Sequence, residues 1–185
     1  MKVTREQAME NRERVIDTAA RLFRENGFYG IGIADLMKSA GLTHGGFYGQ
    51  FASKDELAAA ACARALHESD ERWQRFLDKS ADPLQKMAES YLSAEHRDHP
   101  GSGCALVALG PEVARSAPIV KQAFTAGLQP LLDKLTRLLP GRTKNARRER
   151  ALAALATMVG AQLLARAVDD DELSRDILAA AKAAL

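Results

Sequence analysis

Apolar residues recur three or four positions apart along almost the whole chain, and nowhere alternate with polar ones as a half-buried strand requires. Val15, Ala19, Leu22 and Phe23 line one face of a first segment; Val120, Phe124, Leu128, Leu131, Leu135 and Leu138 line another far downstream. This spacing points to an all-α fold. Thr4 with Gln7 forms a capping-box pattern, and Gly27 stops the first run. A short segment around Ile33, Leu36 and Met37 ends at Gly41, suited to a left-handed C-cap. Thr43 is placed to cap a following, glycine-bearing helix, and Ser53 with Glu56 opens a long one through Leu66, Trp73, Phe76 and Leu77.

Beyond Asp82-Pro83 the pattern predicts a helix over about 84 to 98, broken at Pro100-Gly101-Ser102-Gly103. The apolar stretch CALVALG meets Gly110-Pro111, which should kink or end it, and Pro130 predicts a bend. After Pro140-Gly141 comes the basic run RTKNARRER, read as a solvated loop. An alanine- and leucine-rich helix follows to about Val168, and Asp169 to Glu172 suit the positive end of a last helix. The expectation is about nine helices. Residues 1–53 would form a first domain and residues 54–185 a second.

At 185 residues and 46% apolar content the chain can bury a real core. Mean hydropathy is −0.23, and no apolar run approaches the roughly 18 residues a membrane span needs. The charged start, MKVTREQAMENRER, lacks the apolar core of a secretory signal. Cys62 and Cys104 make no disulfide framework, so a cytoplasmic protein is expected. The formal net charge is only +2, and residues 1–60 carry eight Lys/Arg against eight Asp/Glu. Any affinity for nucleic acid must therefore come from the placement of charge.

Residues 41–51, GLTHGGFYGQF, put three glycines within five positions between strongly helical segments. Each glycine inside a helix costs roughly 1 kcal/mol relative to alanine. Leu36, Gly41, Leu42 and Phe47 fit a helix-turn-helix, whose second helix lies in a groove about 12 Å wide. Gly45 and Gly46 would let the backbone come close to DNA. Thr43 and Tyr48 offer hydroxyls to phosphates, His44 and Gln50 reach toward base edges, and Lys54 adds a charge beside free backbone amides. The plainer reading is a surface loop around a buried Phe-Tyr pair.

The run RVIDTAARLFRENGF…IADLMKSAGLTHGGFYGQFASKDEL, from Arg14 to Leu57, resembles the DNA-binding domain of the TetR family of bacterial transcriptional repressors. Matching positions include Ala19, Leu22, Phe23, Gly27, Ala40, Gly41, Gly45, Tyr48, Phe51, Lys54 and Leu57. The resemblance implies a three-helix N-terminal domain, a divergent helical ligand domain, a homodimer on double-stranded operator DNA, and release by a small-molecule effector. Departures fall at Gly32, where the family usually has a capping Ser or Thr, at Gly46 and Gly49, where it usually has side chains, and at Gln50.

In the second half Trp73, Phe76, Met87, Tyr91, Phe124 and Met158 either line an effector cavity or form ordinary core; Trp73, Tyr91 and Phe124 are the cavity candidates. Cys104 heads the apolar segment GSGCALVALGPEVA, where a helix terminus lowers a thiol's pKa. That segment is similar to one in TetR members that sense electrophiles through a cysteine there; the alternative is a small buried hydrophobe. His96, His99 and Cys104, with Glu95 and Asp98, match no common zinc spacing, and solvent-facing residues at a helix end are expected instead. No metal or cofactor is expected. Small residues Ala154, Thr157, Gly160 and Ala161 suggest close helix contact across a two-fold axis. The zero balance of residues 1–60 keeps open a second reading, a helical ligand-binding module that has lost DNA binding. An enzyme is not expected, because no catalytic set of Ser/His/Asp or paired carboxylates is visible.

Overall fold

The computed structural model describes residues 4–185, and among them the chain is all-helical. Nine α-helices follow in order: α1 Arg5–Asn26, α2 Ile33–Ser39, α3 Lys54–Lys79, α4 Pro83–Tyr91, α5 Ala94–Asp98, α6 Ala105–Val113, α7 Pro118–Leu138, α8 Lys144–Ala167 and α9 Asp171–Ala183. Two three-residue 3-10 turns, His44–Gly46 and Pro100–Ser102, precede α3 and α6.

Local chemistry sets most of the boundaries. Thr4 Oγ1 accepts from the Gln7 N–H at 3.2 Å while Gln7 Oε1 accepts from the Thr4 N–H at 3.1 Å, a complete capping box. Ser53 Oγ accepts from the Glu56 N–H, but the Glu56 carboxylate turns to the Ala52 N–H and to Arg12. Those bonds hold the Glu56 carboxyl below its ordinary pKa, the Ala52 N–H contributing most. Gly27 and Gly41 take φ of 76° and 73°, a left-handed conformation that favours glycine. Asp170 caps α9 through the Glu172 and Leu173 N–H groups.

Several expectations change. The predicted glycine-bearing helix is a single 3-10 turn followed by irregular turns, and Thr43 makes no capping bond to it. The helix predicted over 84 to 98 divides at Leu92 and Ser93. The buried amide of Gln162, on α8, donates to the carbonyls of Tyr91 and Ser93, and Ser93 Oγ caps α5. Two carbonyls that would continue a helix are thus taken from outside it. The proline expectations are not among those that change: α6 ends two residues past Pro111, and Pro130 lies inside the continuous α7. The basic run is mostly helical rather than a loop, since α8 starts at Lys144.

Helix α3 is the spine. It packs on α1 on one side and on α7 on the other. Arg12–Glu56, Arg64 with Glu13 and Asp17, and Arg24–Glu68 tie α1 to it along their length. The core holds Phe23, Phe47, Phe51, Leu57, Leu66, Leu109, Leu131 and Leu135, all fully buried. Where α3 meets α7, Gly127 lies so close that a Cβ there would stand 2.6 Å from Leu66 Cδ1 and 2.7 Å from its Cβ. Gly127→Ala should therefore destabilise the protein by ~1–3 kcal/mol despite alanine's better helix propensity. Thermal denaturation at fixed protein concentration checks this, and an unchanged or higher midpoint would contradict it.

Candidate functional site

The first candidate site is the outward face of residues 43–50. Phe47 and Phe51 are buried beneath it with rings stacked 5.6 Å apart. Above them Tyr48 stands 66% exposed, edge-on to Phe47 at 5.2 Å and to His44 at 6.1 Å. Thr43, His44 and Gly45 are exposed, and Gly46 is half-buried.

No internal cause accounts for the glycines. None of Gly45, Gly46 and Gly49 has a positive φ. A Cβ on Gly45 would meet nothing within 4 Å. On Gly46 it would lie 3.6 Å from Met37 Cε, and on Gly49 3.7 Å from the Gly46 carbonyl oxygen, both ordinary contacts. Neither backbone conformation nor packing within this chain requires a missing side chain at any of the three.

Gln50 and Lys54 differ from expectation. Gln50 is half-buried, its amide oxygen buried without a partner, so it is not freely presented to a base edge. Lys54 Nζ donates to the Ile31 carbonyl at 2.7 Å and ties the start of α3 to the loop before α2. Arg12 was not legible as a site residue. Its guanidinium donates to the Gln50 carbonyl and to Glu56 at 3.0 Å, and lies 4.1 Å from the centre of the Phe51 ring. Its partners are 38 and 44 residues away in sequence, so no local pattern reveals it.

The second candidate site is a cavity of about 230 Å³ between α3, α4, α5 and the turn before α6. Trp73, Tyr91 and Cys104 all line it, as do Arg72, Phe76 and His96. Phe124 does not: it sits half-buried on α7, toward Gly110. Met158 is core. Cys104 is only 4% exposed and occupies the N-cap position of α6. Cys62 lies in the core of α3, where burial pushes its thiol up to about 12.

His96 is not the solvent-facing residue the sequence suggests. Its Nδ1 lies 2.7 Å from the Tyr91 carbonyl and its Nε2 accepts from the Cys104 N–H at 2.9 Å. That pair of bonds selects the neutral tautomer protonated on Nδ1. Burial, with lesser repulsion from Arg166 and Arg72, lowers its pKa to about 4. Among the described residues no group of three or more His, Cys, Asp or Glu side chains is placed to hold a metal ion. No helix among them is long and apolar enough to cross a membrane.

A seam joins the two sites. The Glu112 carboxylate, near the end of α6, accepts from the Phe28 N–H just past α1. A Cβ on Gly27 would collide with that carboxylate. Arg24, buried on α1, donates to Glu68 at 2.8 Å and reaches the Gly103 carbonyl at 3.5 Å, one residue before Cys104.

The pattern of the family described as bacterial regulatory proteins, tetR family, matches residues 15–61. The chain is 28% identical over 98 residues to the HTH-type transcriptional repressor KstR2 of Mycolicibacterium smegmatis, covering 51% of this chain and 48% of that protein. It is 25% identical over 140 residues to the HTH-type transcriptional repressor NemR of Escherichia coli, covering 74% of this chain and 70% of NemR. The match thus spans about half the length of one relative and more than two thirds of the other. The solved reduced form of E. coli NemR superposes with a TM-score of 0.78 at 23% identity, over 95% of this chain and 94% of that one.

The buried His96 makes stability depend on pH. Its folded pKa lies below the ordinary value of about 6.5, so the unfolded chain binds the extra proton more readily. His96 therefore favours the fold fully above about pH 6.5, and that contribution is lost as pH falls toward 4, by up to ~3 kcal/mol. Denaturation midpoints across that range should fall more steeply for the native chain than for His96→Gln. A His96 ring resonance that titrates near 6.5 in the folded protein would contradict this.

Proposed function

We propose that this chain, a member of the tetR family of bacterial regulatory proteins, acts as a dimeric DNA-binding repressor released from its operator by a small-molecule effector in the Cys104 cavity. The observation that carries the DNA half is the bare turn. Three of five successive positions, Gly45, Gly46 and Gly49, lack side chains that this chain has room for, so the space is kept for something outside it. A duplex fits the need, because a groove wall admits backbone only where side chains do not hold it off. Thr43, Tyr48 and His44 flank the bare surface and supply hydroxyls and an imidazole to phosphates and base edges. Lys54 contributes through position more than through free charge, since its ammonium holds the Ile31 carbonyl.

Apolar surface on the last two helices supports the dimer. Leu152 and Leu164 on α8 and Leu173 on α9 are each close to half-exposed or more. Gly160 lies among them with nothing within 4 Å of where its Cβ would be. Two copies joined there about a two-fold axis would present two turns to successive major grooves, ~34–36 Å apart.

Release needs an effector that binds the two states of the dimer unequally. The seam gives it a lever. Cys104 starts the helix that Glu112 nearly ends, and Glu112 and Arg24 hold the end of α1. A ligand, or a group added to Cys104, would shift α6 and with it the unit that carries the bare turn.

Nuclease footprinting on the DNA beside the chain's own gene, at a series of salt concentrations, tests the reading. The expected result is two protected half-sites one helical turn apart, affinity falling steeply with salt, and a several-fold loss for Tyr48→Phe on every sequence. No protection at low salt would leave a helical ligand-binding module without DNA binding.

A further inference from the structure

The cavity beside Cys104 has a surplus of hydrogen-bond donors. Tyr91 is 5% exposed and lines the cavity, yet its hydroxyl has no hydrogen-bond partner. The Cys104 thiol lies beside it, a weak partner at best. Arg72, half-buried in the same wall, donates to the Ser102 carbonyl at 2.6 Å. Its guanidinium carries five N–H groups, so several are unused. It forms no ion pair among the described residues, because its neighbour Glu68 is taken by Arg24. Arg166, behind His96, likewise holds only the carbonyls of Arg97 and His96.

The lining offers little to answer these donors. Ser69 Oγ donates to the Ala65 carbonyl, and Ser93 Oγ is occupied by Ser90 and His96. His96 is neutral and uses both ring nitrogens. Glu95 is the one acidic side chain in the lining, and it lies 85% exposed at the rim, where water screens it. A half-buried guanidinium and a fully buried phenol, both short of acceptors, call for an anionic acceptor from outside the chain. The other walls are Trp73, Phe76 and Met87, suited to a flat apolar body. An apolar cavity of about 150 Å³ already accepts a benzene ring. The space of about 230 Å³ here holds a ring and a carboxylate but no long chain.

We propose that this cavity binds a small aromatic carboxylate, its carboxylate held by Arg72 and the Tyr91 hydroxyl and its ring against Trp73, Phe76 and Met87. The assignment rests on reading the cavity as the effector site, and it names the ligand's chemical class. Cys104 then stands at the carboxylate end, at the head of α6, so occupancy acts on the helix that Glu112 couples to α1.

Trp73 is the only tryptophan in the chain, so its fluorescence reports the cavity directly. Benzoate, benzamide and inorganic phosphate are titrated into the full-length protein while Trp73 emission is followed. Benzoate should give a saturable change, with benzamide and phosphate at least tenfold weaker. Arg72→Gln should weaken benzoate about tenfold or more and Tyr91→Phe about three- to tenfold, with unchanged melting curves. Equal affinity for benzoate and benzamide, phosphate binding as tight as benzoate, or no saturable change with benzoate would each overturn the carboxylate assignment, whatever the variants do. Operator affinity measured on the same samples separates this claim from the function. Benzoate binding that leaves DNA affinity unchanged sinks the effector reading and keeps the carboxylate site. Intact operator binding with no response of Trp73 sinks the carboxylate site alone.

Discussion

A turn with three glycines cannot hold its own shape, because glycine surrenders more backbone freedom on ordering than any other residue. Between Thr43 and Ala52 the chain depends on what lies underneath. Phe47 and Phe51 anchor it in the core, and Arg12 crosses over from α1 to hold the Gln50 carbonyl while resting on the Phe51 ring. Met37, at the end of α2, packs below Gly46. Rigidity is supplied from the inside, and the outside is left bare. The division explains how a segment so poor in helix formers can still present a defined surface.

The same economy appears at the seam between the halves. Positive φ at Gly27 opens the space that the Glu112 carboxylate enters to reach the Phe28 N–H. Arg24, buried in α1, brings a charge to Glu68 and to the carbonyl beside Cys104. Breaking either contact would strand a polar group, so separating α6 and the Gly103 turn from the end of α1 costs of order 1–3 kcal/mol per contact. That is the scale on which a small ligand's differential affinity operates. The cavity wall and the end of α1 are therefore neighbours in space, joined through Gly103 and Glu112.

Features written in nearby residues were readable from the sequence. The Thr4–Gln7 box, the left-handed turn at Gly41, the acidic start of α9 and Cys104 at the head of α6 all depend on residues within a few positions. What escaped was set at long range. The division between α4 and α5 is made by Gln162, about 70 residues downstream. Lys54 looks like a free cation until the Ile31 carbonyl is brought to it, and His96 looks exposed until Tyr91 and Cys104 enclose it. Phe124 has the periodicity of a wall residue but does not line the cavity and packs toward Gly110 instead, since periodicity fixes a face and not its neighbour. Arg12 carries no local signal at all.

The central claim is that the missing side chains at residues 45–49 serve an external surface. Replacing Gly45 by alanine and by leucine, and measuring both the thermal midpoint and the affinity for footprinted DNA at one salt concentration, separates the internal from the external cause. Room within the chain and a negative φ predict an unchanged or raised midpoint, with alanine adding ~0.4–1 kcal/mol. The leucine variant should nevertheless lose at least about tenfold in DNA affinity, as a bulky side chain holds the backbone off the groove. Leucine at position 45 with native DNA affinity, or a fall in the midpoint large enough to explain its loss, would contradict the account.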